Sequence, residues 1–236
     1  MSSQRIKAWS ISRLFAFESC PYRLYLQYIA KQAMPVLPED NPMERGRRIH
    51  KEVEQYISGA TEDFPSSGKK LKVELEFCRQ AYIDGKASVE EQWGMNEHWG
   101  ITGWWDDDVW LRVATDCYVT PSEDEGMIFD WKTGKSFGNE VKYAQQGQLY
   151  AVTAFMRYAE LEHVSVTFGF LDDGTQRHKQ YVRGPKLNKL IARFTERAER
   201  LTNCVDWRPK PNVLNCKFCP FGPGGTNACI YGAEPL

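Results

Sequence analysis

Cysteines stand at both ends of this 236-residue chain, with Cys20 alone near the start and Cys216, Cys219 and Cys229 crowded near the finish. If the four hold one metal group, the termini must meet and the chain between them must close into a ring. One unit spanning 1–236 is therefore expected, with 10–32 and 204–229 forming the cysteine region. Neither a signal-like apolar run near Met1 nor a stretch of membrane-spanning length is present in the sequence. The expectation is a cytoplasmic protein, where thiols stay reduced and clustered cysteines bind metal rather than pair. An odd total of seven fits that view, and Cys78, Cys117 and Cys204 then read as small buried hydrophobes. At 42% apolar residues the chain can bury one sizeable core, and its formal net charge of −1 leaves no broad basic surface. Any contact with phosphates must therefore be local.

Periodicity divides the middle of the chain. Ser10 or Ser12 can cap a short helix ending near Cys20-Pro21, and the helix dipole beginning at Pro21 favours a thiolate on Cys20. Pro35, Pro38 and Pro42 mark a loop before a helix over 43–57, whose buried side carries Ile49, Val53, Tyr56 and Ile57, with His50 at its margin. After a Gly/Ser/Pro-rich loop, a helix is expected over 71–82. Strands are expected over 89–95, 101–105, 109–119 and 127–132, the last two joined as a hairpin. A helix over 139–159, strands over 164–171 and 178–182 around an Asp173-Gly174 turn, and a helix over 185–203 complete the order. That order suits an α/β class, a sheet flanked by helices.

Within this frame Asp130 and Lys132 share one face of a strand, because strand side chains alternate. A carboxylate there can hold a divalent cation. The adjacent ammonium can position or deprotonate a water, or neutralise charge growing on a phosphoryl transition state. Asp116, on the neighbouring strand, can supply a second carboxylate, and His50 an imidazole from the helix laid against the sheet. Gly46, one turn before His50, permits close approach. Oxygen donors suit Mg²⁺ or Mn²⁺, and the imidazole tilts the preference toward Mn²⁺. Alternating charges at the end of a strand are also what a solvated face looks like.

In this order the residues resemble the PD-(D/E)XK nuclease superfamily, in particular its RecB-like iron-sulfur exonuclease branch, which includes CRISPR-associated adaptation exonucleases and the AddB nuclease domain. The motifs are Ser12-x-Leu14-x-x-Phe17-x-x-Cys20-Pro-Tyr-Arg-Leu-Tyr25, Gly46-Arg-Arg-Ile-His50, Val113-Ala-Thr-Asp116, Ile128-Phe-Asp-Trp-Lys-Thr-Gly134, Gln146-Gly-Gln-Leu-Tyr150 and the terminal cysteines. The resemblance implies a restriction-endonuclease-like mixed sheet and a metal-dependent DNA exonuclease acting in recombination, repair or phage DNA processing. It implies His50, Asp116, Asp130 and the Trp131 carbonyl as metal ligands, and Asp116, Asp130, Lys132, Gln146 and Tyr150 as the catalytic set. Cys20, Cys216, Cys219 and Cys229 would hold a [4Fe-4S] cluster. Val113 stands where the family usually has glycine. The nine residues between Cys219 and Cys229 require the loop carrying Gly222, Gly224 and Gly225 to bend back.

From the residues alone, four thiolates suit zinc as well as a cluster, although a zinc ribbon usually brings two Cys-x-x-Cys knuckles. A catalytically silent DNA-binding module of the same fold is the alternative function. Arg47, Arg48 and Lys135 are the nearest candidates for DNA contact. Lys186, Lys189, Arg193, Arg197 and Arg200 form a stripe that reads equally as the exposed face of an amphipathic helix. Trp93, Trp99, Trp104, Trp105 and Trp110 are expected mainly in the core. Of the adjacent pair Glu90 and Glu91, the first is the expected neighbour of the metal. A homo-oligomer or a recombination partner protein is left open.

Overall fold

The computed structural model describes residues 5–134 and 136–233. Its centre is a six-stranded mixed sheet in the order β2-β1-β3-β4-β5-β6, comprising β1 (Ala87–Met95), β2 (Ile101–Thr102), β3 (Leu111–Val119), β4 (Glu125–Lys132), β5 (His163–Phe170) and β6 (Gln176–Val182). Neighbours pair antiparallel except β4 and β5, which run parallel from Glu125↔His163 to Lys132↔Phe170. Parallel neighbours need a long crossover, and α5 (Glu140–Arg157) supplies it.

Apolar residues on the two faces build two cores. On one face α1 (Ile11–Ser19), α5 and α6 (Pro185–Thr202) pack through Leu14, Leu149, Phe155, Phe194 and Leu201 onto Val166, Phe168 and Phe170. The other face carries α3 (Pro42–Ile57) and α4 (Lys72–Ile83), which cover Phe129, Trp131, Cys117 and Val119. Two helices begin on side-chain caps: Ser10 accepts a hydrogen bond from the Arg13 N–H, and Asn41 accepts one from the Met43 N–H ahead of Pro42 at the first position. The outermost strand, β6, is protected from edge pairing by its exposed Lys179 and the cationic Arg177. None of the described helices is long and apolar enough to cross a membrane.

Gly169 shows how tightly β5 fits behind the Asp-x-Lys strand. A Cβ there would lie 2.8 Å from Trp131 Cε3 and 2.9 Å from Leu71 Cδ1, both in the packed second core. Gly169→Ala is expected to cost about 1–3 kcal/mol through overpacking. Chemical denaturation checks this, and an unchanged midpoint would contradict it.

Three expectations need correction. The strand expected over 101–105 stops at Thr102, because Gly103 donates its N–H to Asp106 and the chain turns. Trp105, expected in the core, is 80% exposed. Cys204 is only half-buried, its thiol directed at the Asp206 carbonyl. The sequence also gave no sign that α2 (Pro21–Leu24) continues as a π-helical turn, Tyr25–Ile29.

Two features of the sheet create the site. First, β3 and β4 stay paired only from Val119↔Met127 to Cys117↔Phe129 and then part at Asp116 and Asp130. Beyond the fork Trp9 bridges β3, donating its N–H to the Trp110 carbonyl at 2.8 Å and accepting from the Arg112 N–H at 2.9 Å. Second, Glu90 has a φ of 51°, and it is the position facing Asp116 that the β1–β3 register skips. Such a φ is costly for a residue with a Cβ. Around it the strands change sides: Val89, Cys117 and Val119 pack in the second core, Trp93, Leu111 and Val113 in the first.

Candidate functional site

Asp116 lies at the fork and joins three elements. Its Oδ1 is 3.4 Å from His50 Nδ1 of α3, and its Oδ2 accepts the Trp131 N–H of β4 at 2.6 Å. A strand residue directs its N–H and C=O to the same side, so the Trp131 carbonyl also faces the gap. Glu90 completes the group, since one donor atom each from His50, Glu90 and Asp116 lie within 4.8 Å of one another. The positive φ at Glu90 is the backbone feature at that point of β1, while Glu91 accepts from Ser88 instead.

Asp130, 2% exposed, stands on the other side of the fork with both oxygens occupied. Its Oδ1 accepts from Gln146 Nε2 at 2.9 Å and from the Tyr150 hydroxyl at 2.7 Å. Lys132 Nζ lies 2.6 Å from Oδ2, a charge contact rather than a well-directed hydrogen bond. Gln146 and Tyr150 are one helical turn apart on α5, and Gln146 Nε2 also donates to the Tyr150 hydroxyl at 2.8 Å. The structure therefore gathers His50, Asp116, Asp130, Trp131, Lys132, Gln146 and Tyr150 around the fork, in two adjoining groups. Asp130 touches Lys132, Gln146 and Tyr150, and Glu90, the expected neighbour of the metal, stands beside His50 and Asp116.

Ionisation follows from burial and neighbours. Burial pushes the Asp130 carboxyl up; the Lys132 ammonium opposes this, and the Asp116 charge adds to it. Burial alone would lower Lys132, but Asp130 outweighs it and the side chain is held cationic, above the usual lysine value. Burial likewise pulls His50 down, yet the hydrogen bond to Asp116 and the charges of Asp116 and Asp130 bring it out above its ordinary value. Glu90 is raised by burial and then by Asp116. Tyr150 is raised well above a free phenol, by burial first and by Asp130 second, so it remains a hydrogen-bond donor.

A supporting contact absent from the sequence reading fixes α3 against the end of β4. Asp172 accepts two hydrogen bonds from Arg45, at 2.6 and 3.1 Å, and one from the Gly134 N–H at 2.8 Å. Gly46 then approaches Thr133 so closely that a Cβ would meet its Oγ1 at 3.2 Å. The Arg45 hydrogen bond, against the opposing effect of burial, holds the Asp172 carboxyl below the usual carboxylate range. Its folded pKa is thus below its unfolded value, so its stabilisation is present above roughly pH 4 and is lost as pH falls through the folded value. Asp172→Asn is expected to flatten the acid side of the stability profile. Denaturant midpoints across roughly pH 3 to 7 test this, and a profile matching wild type would contradict it.

The remaining sequence candidates separate. Arg47 pairs with Glu44 at 2.6 Å and Arg48 donates to the Glu39 carbonyl at 3.1 Å; both are exposed. Lys135 lies outside the described residues. The α6 stripe is partly consumed, Arg197 by two hydrogen bonds to Glu18 at 2.7 and 2.8 Å and Arg193 by Gln148.

At the far end, Cys20, Cys216, Cys219 and Cys229 line one cavity. Cys20 sits directly before α2 and Cys216 on α7 (Val213–Lys217). Across the junction the Ser19 hydroxyl donates to Asn215 Oδ1 at 2.9 Å, and Asn215 Nδ2 donates to the Ser19 carbonyl at 3.1 Å. The long loop does bend back: Asn227 donates to the Gly222 carbonyl at 3.1 Å and Cys229 to Phe221 at 2.8 Å. Glycine is required in it, since a Cβ on Gly225 would stand 2.1 Å from the Pro220 carbonyl oxygen. The Cys229 thiol is raised by burial and then, further down, by Cys219, Cys20 and Cys216, so the four are in electrostatic range.

No curated protein matches the chain. Among solved structures it is similar to SSO0001, at 12% identity and a TM-score of 0.50, covering 97% of this chain and 89% of that one. A candidate exonuclease from Eubacterium rectale matches at 13% identity and a TM-score of 0.48, covering 98% and 91%. A phage-related exonuclease from Haemophilus somnus 129PT matches at 13% identity and a TM-score of 0.34, covering 84% and 94%. At these identities the SSO0001 likeness bears on fold alone. The model of the PD-(D/E)XK nuclease superfamily matches residues 8–223, and with its forked mixed sheet between two helical layers the chain belongs to that superfamily.

Proposed function

We propose that this nuclease is a metal-dependent deoxyribonuclease that hydrolyses phosphodiester bonds from DNA ends, in recombination, repair or phage DNA processing. The observation that carries the proposal is Asp116, one oxygen beside His50 and the other on the Trp131 N–H, next to Asp130 and Lys132. The donors fit a hard divalent cation. Two ligand atoms about 2.1 Å from one octahedral ion stand roughly 3 Å apart, close to the His50–Asp116 separation. His50, Asp116 and Asp130, with the Trp131 carbonyl and Glu90 alongside, would hold Mn²⁺ or Mg²⁺. When bound, the ion supplies Lewis acidity toward a phosphoryl oxygen and a water. Lys132, held cationic by Asp130, orients the attacking water and offsets charge on the phosphoryl oxygens. Tyr150 and Gln146 fix Asp130, and through it Lys132, in place.

The four cysteines are proposed to hold a [4Fe-4S] cluster with a structural role. They line one cavity. A zinc ribbon usually brings two Cys-x-x-Cys knuckles, whereas here the fourth thiolate is the distant Cys20. Anaerobic purification with iron, sulfide and zinc analysis separates the two.

The activity test uses linear DNA labelled at one end or the other, with Mn²⁺ or with chelator, alongside a closed circle of the same sequence. Labelled nucleotides are expected from the linear substrates only, and only with metal. Binding without release would leave a silent DNA-binding module in place of the enzyme.

A further inference from the structure

A second cleft, separate from the one lined by His50 and Glu90, opens beside the Gln146–Tyr150 pair. Arg13, Tyr28, Trp104, Trp105 and Arg112 line it, and its floor includes Ala114 of β3, two residues before Asp116. It exists because Trp9 fills the fork and brings the start of α1, with Arg13, alongside Arg112.

The chemistry of its walls is selective. Each arginine is laid on an aromatic ring, Arg13 at 4.5 Å from the Tyr28 centroid and Arg112 at 4.9 Å from Trp105 and 5.6 Å from Trp104. Arg13 gives one N–H to the Ala8 carbonyl and Arg112 one to the Trp104 carbonyl. A guanidinium has five donors, so most of each remains for a ligand. Among the described residues neither arginine forms an ion pair with a carboxylate. Asp106 and Asp107 line the adjoining cavity, which shares Arg13, Tyr28, Trp105 and Arg112 with this one, and Asp106 already accepts from the Gly103 N–H. The two cations repel: Arg112 is lowered by burial and then by the charge of Arg13. Two converging guanidinium groups favour a phosphate between them. Trp105 meanwhile keeps 80% of its surface in water, an unusual position for an indole and a free stacking face.

A phosphate binder beside an exposed aromatic platform recognises a nucleotide whose base is unstacked, because a duplex already covers its base faces. We propose that this cleft receives the unpaired terminal nucleotides of a DNA strand, with a base stacked on Trp105 and the backbone phosphate between Arg13 and Arg112. The identification of the strand as DNA rests on the nuclease reading. The cleft shares Gln146 and Tyr150 with the Asp130 group, so a strand seated there leads directly to the fork.

The test is fluorescence anisotropy of a labelled oligothymidylate and of a blunt duplex of equal length, in chelator so that nothing is cleaved. Trp105→Ala is expected to weaken single-strand binding roughly tenfold, one stacked base, and to leave duplex binding unchanged. Being so exposed, the position is safe to truncate, and the thermal midpoint should not move. Arg112→Gln should weaken binding and reduce the salt slope by about one. Wild-type affinity of Trp105→Ala for the single strand, or equal losses on both substrates, would overturn the proposal. The two readings fail separately. Trp105-dependent binding without Mn²⁺-dependent hydrolysis removes only the enzyme. Hydrolysis with binding indifferent to Trp105 removes only this cleft.

Discussion

Lys132→Ala is expected to lower Mn²⁺-dependent release of nucleotides from linear DNA by roughly a thousandfold, the scale of losing one charged donor aimed at a transition state. The side chain is the cation of the site, 2.6 Å from a carboxylate that is 2% exposed. Its removal also leaves the Asp130 charge with only two neutral donors, Gln146 and Tyr150. Breaking a buried pair from one side costs up to about 3–5 kcal/mol, so the folded fraction must be measured at the assay temperature. Lys132→Arg separates the two effects. A guanidinium can keep the ion pair with Asp130 and restore stability, but its planar fork cannot occupy the same point beside a water, so activity stays low. Retention of more than about a tenth of wild-type turnover by a folded Lys132→Ala would remove this lysine from the reaction.

Cys216→Ala is expected to empty the proposed terminal metal site and release the C-terminal segment while leaving the sheet folded. Metal binding contributes folding free energy wherever the site does not pre-exist in the unfolded chain. After α6 few large side chains are buried, chiefly Trp207 and Phe221, and α7 has five residues, too short to persist alone. Protein contacts across the junction include the Ser19–Asn215 hydrogen bonds, those from Lys210 to Cys20 Sγ and the Glu18 carbonyl, and the Tyr22–Tyr231 and Phe17–Trp207 ring contacts. Amide exchange should therefore accelerate over the described part of 205–233, with proteolytic nicking around Pro209 and Pro211, and iron should be lost. Cys204→Ala is the control, since Cys204 lies outside the cavity and should leave both readings unchanged. Iron content and exchange equal to wild type in Cys216→Ala would remove it from the ligand set.

Legibility varied with the range of the interaction. The helix expected over 43–57 is Pro42–Ile57, because four apolar residues at helical spacing and a Pro42 start signal are local properties. The strand expected over 101–105 failed because its aromatic content reads as strand whatever its role, whereas one Asp106 carboxylate on the Gly103 N–H was enough to turn the chain. Trp105 misled for the same reason: composition assigns indoles to the core, and only the layout of Arg112 and α1 leaves this one in water.

The site divides along the same line. The chain itself determined that Asp130 and Lys132 share a strand face, that Gln146 and Tyr150 share a helix face, and that a glycine-rich loop lets Cys229 turn back toward Cys216, since each follows from a repeat or backbone freedom a few residues long. Only the tertiary structure decided that a positive φ turns Glu90 out of the β1 register beside Asp116, that Asp130 is held by Gln146, Tyr150 and the Lys132 charge, and that Asp172 ties Arg45 to Gly134. Those contacts join residues far apart in sequence. They depend on where β3 and β4 part and on how the sheet turns at Glu90, and such geometry arises from the packing of two helical layers rather than from any local pattern.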